Sequence, residues 1–232
     1  MQLFCLPYAG GSAQNYLRWK QGLPESVRII PLELAGRMTK LGQAPYPSLE
    51  AAAEDVKKDF YNTYSGGEYA LFGHSLGGWI AYELYLRLLQ ENMLSPTILF
   101  ISGIHPPFYS KELYVNGKMD DETVVKRIKA LGGTNDHTFE NPDLRETYLS
   151  LLREDFRIAG CYHPEFKKGC IVCELVVMGG MDDDNVSTRE LLLWRESAGA
   201  ACMISKIAGN HFYPFTNVND TLAVINQKLP AE

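Results

Sequence analysis

Ser75 stands in the run Gly73-His74-Ser75-Leu76-Gly77, which fits the pattern Gly-x-Ser-x-Gly. A serine hydroxyl is a weak nucleophile at neutral pH. It does covalent chemistry when a base lies within reach and a carboxylate orients that base. The flanking residues suit such chemistry. Tyr69-Ala70-Leu71-Phe72 reads as a short buried strand, and Trp79 through Leu89 as a helix. A strand-to-helix turn this sharp strains the serine backbone and needs glycines where side chains would clash. It holds the hydroxyl out at the C-terminal edge of a sheet. The first amides of the helix then lie beside it, where an oxyanion could bind. The pentapeptide alone also suits an idle glycine-rich turn. The strand and helix on the correct sides favour the chemical reading.

A nucleophile on such an elbow takes its partners in the chain order serine, acid, histidine. The chain has five histidines. His74, inside the elbow, is expected to be a packing residue with its ring turned from the serine face. His105 and His163 belong to a long insertion, and His137 to a polar loop. His211 lies in Ala208-Gly209-Asn210-His211-Phe212, after the last predicted strand and before the final helix. That loop shares a sheet edge with Ser75, so His211 is the candidate base. The acid belongs after the penultimate strand, in Gly179-Gly180-Met181-Asp182-Asp183-Asp184-Asn185-Val186. Gly180, Asp183 and Val186 fit Gly-x-x-Asp-x-x-Val, which favours Asp183. Asp184 and then Asp182 remain alternatives, since turn and N-cap chemistry before Ser187 accounts for two of the three. For the oxyanion, one amide should be Leu76 N–H. The second should come from Pro7-Tyr8-Ala9-Gly10-Gly11, with Ala9 preferred and Tyr8 the alternative.

These residues need a sheet to bring them together. Six strand candidates appear at 2–6, 27–32, 69–73, 97–102, 171–178 and 202–207, mostly unbroken apolar runs suited to a parallel sheet buried on both faces. Helical patterns at 12–21, 48–64, 77–92, 187–198 and 217–228 alternate with them. The expected fold class is therefore α/β, a mostly parallel sheet flanked by helices. Residues 103–170 break the alternation and are too long for a simple crossover. With helical segments near 120–131 and 141–158, they are expected to form a lid over Ser75. The 232 residues, 46% of them hydrophobic, fit one domain spanning 1–232.

Composition narrows the function classes. A net charge of -6 argues against nucleic acid as the partner. No apolar run is long enough to span a membrane, and no signal-like segment precedes the first strand. Five cysteines without framework spacing point to a reducing, cytoplasmic setting. Cys170-x-x-Cys173 lies in a strand-like run and reads as a buried structural pair of residues.

Taken together, the chain resembles the type II thioesterases, the stand-alone editing thioesterases of nonribosomal peptide and polyketide synthesis in the α/β-hydrolase superfamily. The matching pieces span nearly the whole chain. They are Leu6-Pro7-Tyr8-Ala9-Gly10-Gly11, Gly36-Arg37, Phe72 to Gly78, Ser102-Gly103, Leu131-Gly132-Gly133, Leu152-Arg153-Glu154-Asp155-Phe156, Gly180 to Val186 and Gly209 to Phe212. The departures are Leu34-Ala35-Gly36-Arg37 in place of Pro-Gly-Arg, and Gly209-Asn210-His211 in place of Gly-Gly-His. The first strand lies so near the start that the two outer strands of a full α/β-hydrolase sheet are expected to be missing. The resemblance implies hydrolysis of acyl thioesters on the phosphopantetheine arm of acyl or peptidyl carrier proteins, through Ser75, His211 and Asp183. It implies no metal or redox cofactor and a monomer. Basic residues facing an acidic carrier could be Lys126, Arg127 and Lys129, or Arg37 and Lys40. A general carboxylesterase or lipase would share the same serine chemistry. A catalytically idle hydrolase-fold binding protein usually lacks one triad member, and all three are present here. Acyl transfer to an amine or hydroxyl is a further possibility, governed by water access.

Overall fold

The computed structural model describes residues 1–109, 120–132 and 142–229. His137, Gly133 and Asn141 lie outside the described residues. Six parallel strands form a sheet: β1 (Gln2–Leu6), β2 (Arg28–Pro31), β3 (Tyr69–His74), β4 (Ile98–Ser102), β5 (Glu174–Gly180) and β6 (Cys202–Ile207). Their order is β2-β1-β3-β4-β5-β6. The helices are α1 (Leu49–Thr63), α2 (Leu76–Gln90), α3 (Asp121–Leu131), α4 (Pro142–Gly160), α5 (Thr188–Leu192), α6 (Tyr213–Thr216) and α7 (Val218–Asn226).

The inner strands β1, β3, β4 and β5 are buried along nearly their whole length because helices cover both faces, whereas the edge strands β2 and β6 are only partly buried. Side chains alternate between the faces with period two. Phe4, Leu6, Leu71, Leu99, Ile101, Leu175 and Val177 join α1 and α2 in one buried cluster. Leu3, Cys5, Phe72, Phe100, Val176 and Met178 join α7 and the 13–22 segment in the other. Each fully buried Leu, Val or Phe contributes about 1.5–3 kcal/mol. This is the parallel α/β arrangement that the alternation of elements suggests, and it agrees with the α/β-hydrolase fold that the resemblance implies.

The order reverses between β1 and β3, since β2 lies on one side of β1 and β3 on the other. Loops leaving the C-terminal ends of these neighbours diverge and open a crevice. Ser75 follows β3 and the Pro7–Gly11 loop follows β1, so both candidate oxyanion segments border that crevice.

Three elements differ from the sequence expectation. The segment Ala13–Gly22 is 3-10, not α-helical. Its buried residues Ala13, Tyr16 and Trp19 are spaced by three, and a three-residue turn aligns them on one face against the sheet. Residues 187–198 divide into α5, started by a Ser187–Glu190 capping box, and a 3-10 turn at Leu193–Glu196. The run through Cys170 and Cys173 precedes β5, with Ile171 making an isolated bridge to Ala198. Cys173 is buried and Cys170 half-buried, and both precede β5 in the connecting segment.

Helices α3 and α4 lie over the sheet edge as a cap. They meet through Val124, Ile128, Leu149, Leu152 and Phe156. No helix among the described residues is long and apolar enough to cross a membrane.

Candidate active site

Ser75 has φ 53° and ψ -123°, a backbone conformation that costs a non-glycine residue roughly 1–3 kcal/mol. Close packing enforces it. A Cβ on Gly73 would come within 2.0 Å of Gly77 O, and one on Gly77 within 2.4 Å of Leu6 O. The turn is tied to the next strand by Ser75 N–H donating to Ser102 O at 2.7 Å. Leu76 opens α2, where first-turn N–H groups have no partner within the helix.

Loops after β5 and β6 bring the other groups in. Asp182 N–H donates to Gly209 O at 3.0 Å and joins the two loops. Asn210, where the resemblance leads one to expect glycine, accepts the Phe212 N–H on its side-chain oxygen at 2.9 Å and braces the turn carrying His211. His211 Nδ1 lies 2.8 Å from Asp183 Oδ2. Asp183 is buried, whereas Asp182 and Asp184 are exposed. Asn185 donates its backbone N–H and its side-chain amide to Asp183 Oδ1, at 2.9 and 3.3 Å. Burial alone pushes the Asp183 carboxyl up. The His211 hydrogen bond and charge, with the Asn185 donors, outweigh burial and hold it below its ordinary range. With Nδ1 donating to this carboxylate, the neutral imidazole of His211 carries its acceptor lone pair on Nε2.

Ser75 and His211 line one cavity of about 30 Å³, together with Gly103, His105, Arg127, Phe156 and Asn185 among others. Arg127 of α3 stacks over the Phe156 ring at 5.1 Å. A second cavity of about 350 Å³ lies on the other side of α4, against Ala35, Gly36 and Tyr46.

His74 is a fully buried packing residue, as expected, and does not line the Ser75 cavity; its ring centroid lies 4.9 Å from that of His211. His74 Nδ1 lies 2.9 Å from Ser102 Oγ, which in turn bonds Tyr213 OH. Burial, with the His211 charge adding to it, pushes His74 well below the usual histidine range, so it packs under His211 as a neutral ring. Some expectations need correcting. Arg37 is buried and paired with Asp155, and Lys40 is buried and paired with Asp55 and Asp59. Neither faces a partner, because a buried, paired cation has no exposed charge to offer. His163 is exposed, and His105 is buried at the cavity wall. Sequence reasoning missed the pairing of Arg37 with Asp155. Both lie in motifs that carry the resemblance, but nothing in either motif says that they meet.

Among the described residues, no group of three or more His, Cys, Asp or Glu is placed to hold a metal ion.

The thioesterase domain model matches residues 1–229. The chain belongs to the thioesterase domain family. It is an enzyme that hydrolyses thioesters. The gramicidin S biosynthesis protein GrsT of Aneurinibacillus migulanus is 26% identical over 229 residues, covering 99% of this chain and 89% of GrsT. ClbQ from the colibactin NRPS/PKS pathway superposes with a TM-score of 0.91 at 32% identity, over 98% of this chain and 95% of ClbQ. RedJ, a thioesterase from the prodiginine biosynthetic pathway in Streptomyces coelicolor, superposes with a TM-score of 0.89 at 27% identity, over 99% and 90%.

Proposed function

We propose that this thioesterase clears acyl groups from the phosphopantetheine arms of carrier proteins in nonribosomal peptide or polyketide synthesis, through Ser75, His211 and Asp183. The observation that carries the reading is that His211, bonded to Asp183 behind it, lines the same cavity as the strained Ser75. Similarity to GrsT, ClbQ and RedJ over nearly the full chain supports the setting.

In this mechanism Ser75 Oγ attacks the thioester carbonyl and His211 Nε2 takes its proton. Asp183 keeps the imidazole in the right tautomer and stabilises the imidazolium. The oxyanion rests on the N–H groups of Leu76 and Ala9, each worth about 2.7–4 kcal/mol in the transition state. The C–S bond breaks, and His211 returns its proton to the carrier thiolate. Water then attacks the acyl ester with His211 again as base, the bond to Ser75 Oγ breaks, His211 returns the proton to Ser75, and the free acid leaves. These steps call for no cofactor.

The 30 Å³ cavity holds little more than a water-sized group. We therefore assign residues 103–170 the part of a lid whose α3 moves aside for the substrate. Lys126 and Lys129 are exposed on α3 and offer positive charge to an acidic carrier surface. The reading places a monomer in the cytoplasm, in keeping with five free thiols.

Release of a labelled acetyl group from a phosphopantetheinylated carrier protein tests this. Wild type should release it and Ser75→Ala should not. Cleavage of simple p-nitrophenyl esters with no release from the carrier would make the protein a general esterase.

A further inference from the structure

We infer that Asp155 and Arg37 are positioning residues that hold the Pro7–Gly11 loop in its oxyanion-binding shape. The inference rests on the serine mechanism proposed above. Gly10 N–H donates to Asp155 Oδ2 at 2.7 Å. The same carboxylate takes two bonds from Arg37 Nη2, at 2.8 and 2.9 Å. Arg37 Nη1 donates to Gly11 O at 2.8 Å. Within the loop, Gly11 N–H closes a turn on Tyr8 O at 2.9 Å. The backbone just after Ala9 is therefore fixed from outside at Gly10 and Gly11, and the internal turn ties Tyr8 to that fixed point; the Ala9 N–H lies between the two.

Packing ties this clamp to the cap. Tyr148, Leu152 and Asp155 recur at helical spacing on one face of α4. That face sits directly on Gly10, where a Cβ would come within 2.6 Å of Leu152 Cδ2 and 3.0 Å of Tyr148. Gly10 has φ +73°, which only glycine adopts readily. Asp155 and Arg37 are both buried, so neither has solvent to replace its partner. Burial raises the Asp155 carboxyl, and the Arg37 charge and the Gly10 amide offset part of that rise. The next residue, Phe156, lines the Ser75 cavity. One turn of α4 thus walls the cavity and shapes the oxyanion loop.

The test compares Asp155→Asn, Arg37→Met and the double variant Asp155→Leu/Arg37→Met. The readouts are kcat and KM on acetyl-pantetheine, melting temperature, and inhibition by a simple alkyl trifluoromethyl ketone. That ketone forms a tetrahedral adduct on serine and so reports the oxyanion site. Asp155→Asn should lower kcat roughly 10–100-fold with KM within about threefold, and ketone affinity should fall in parallel with kcat. The double variant removes the unpaired buried charge, so its melting temperature should recover toward wild type while kcat stays low. Recovery of kcat together with melting temperature, or an unchanged ketone affinity, would show a purely structural ion pair and overturn the inference. A wild type that neither cleaves the thioester nor binds the ketone would remove the mechanism itself, and the clamp with it.

Discussion

Ser75 and Phe156 line the same small cavity but are held there by different means. Ser75 sits on a turn whose glycines are pressed against β1 and α2 and whose N–H is bonded to β4. Those elements bury the large apolar clusters on both sheet faces. Phe156 belongs to the cap, where α3 touches α4 through a small cluster and a half-buried Arg153–Asp121 ion pair. Within the cap, α4 is itself anchored. Asp155 reaches the β1 loop, Arg157 donates to Tyr46 O and Pro47 O, and Tyr162 just beyond the helix donates to Glu83. Ser75 and His211 are thus placed on loops at the edge of the large sheet core, and the cavity they line is walled by the more lightly packed cap, the part expected to open first.

The largest expected effects break the sheet-edge half of this contrast. Ser75→Ala or His211→Ala should lower single-turnover acetyl release about 10⁴-fold or more, since triad members act as a unit, with little change in melting temperature for Ser75→Ala and a lower one for His211→Ala, which leaves the buried Asp183 unpaired. Asp183→Asn should cost roughly 10³–10⁴-fold in kcat, against less than about threefold for Asp184→Asn or Asp182→Asn. Leu71→Ala, in the sheet, should lose about 2–5 kcal/mol in denaturant unfolding. Leu149→Ala, in the cap, should leave global unfolding nearly unmoved and instead speed hydrogen exchange in α3 ahead of α4. Equal global losses at the two sites would erase the contrast.

Acid sharpens the same comparison. The Asp183 carboxyl is held below its ordinary range in the folded protein. Its contribution to stability is therefore complete above the unfolded value of about 3.9 and is lost as pH falls through the lower folded value. Melting temperature measured from about pH 6 downward should show this loss in wild type and a shallower one in Asp183→Asn. The smallest effect belongs to the cap surface, where Arg153→Ala should change stability by less than about 1 kcal/mol.

Much of this was legible in the chain. Unbroken apolar runs gave the parallel sheet, because strands covered on both faces have no polar side to reveal. Gly73 and Gly77 around Ser75 announced a turn that tolerates no side chain. Choosing among Asp182, Asp183 and Asp184 needed the register of the β5 loop, which pattern alone only ranked. The 3-10 character of Ala13–Gly22 was hidden, because residues spaced by three read equally as a short amphipathic helix. Arg37 and Asp155 are 118 residues apart, and no local pattern says that two such charges are buried against one loop. The same applies to His74, whose contact with His211 depends on the loop after β6 reaching the end of β3.

The most direct test of the central claim is to quench the reaction with acetyl-carrier protein early and map the acetylated peptides of the enzyme. The account predicts acetyl on the peptide containing Ser75 in wild type and in no peptide of Ser75→Ala, with acylation slowed in His211→Ala. Acetyl on another residue, or acetyl release that survives in Ser75→Ala, would contradict it.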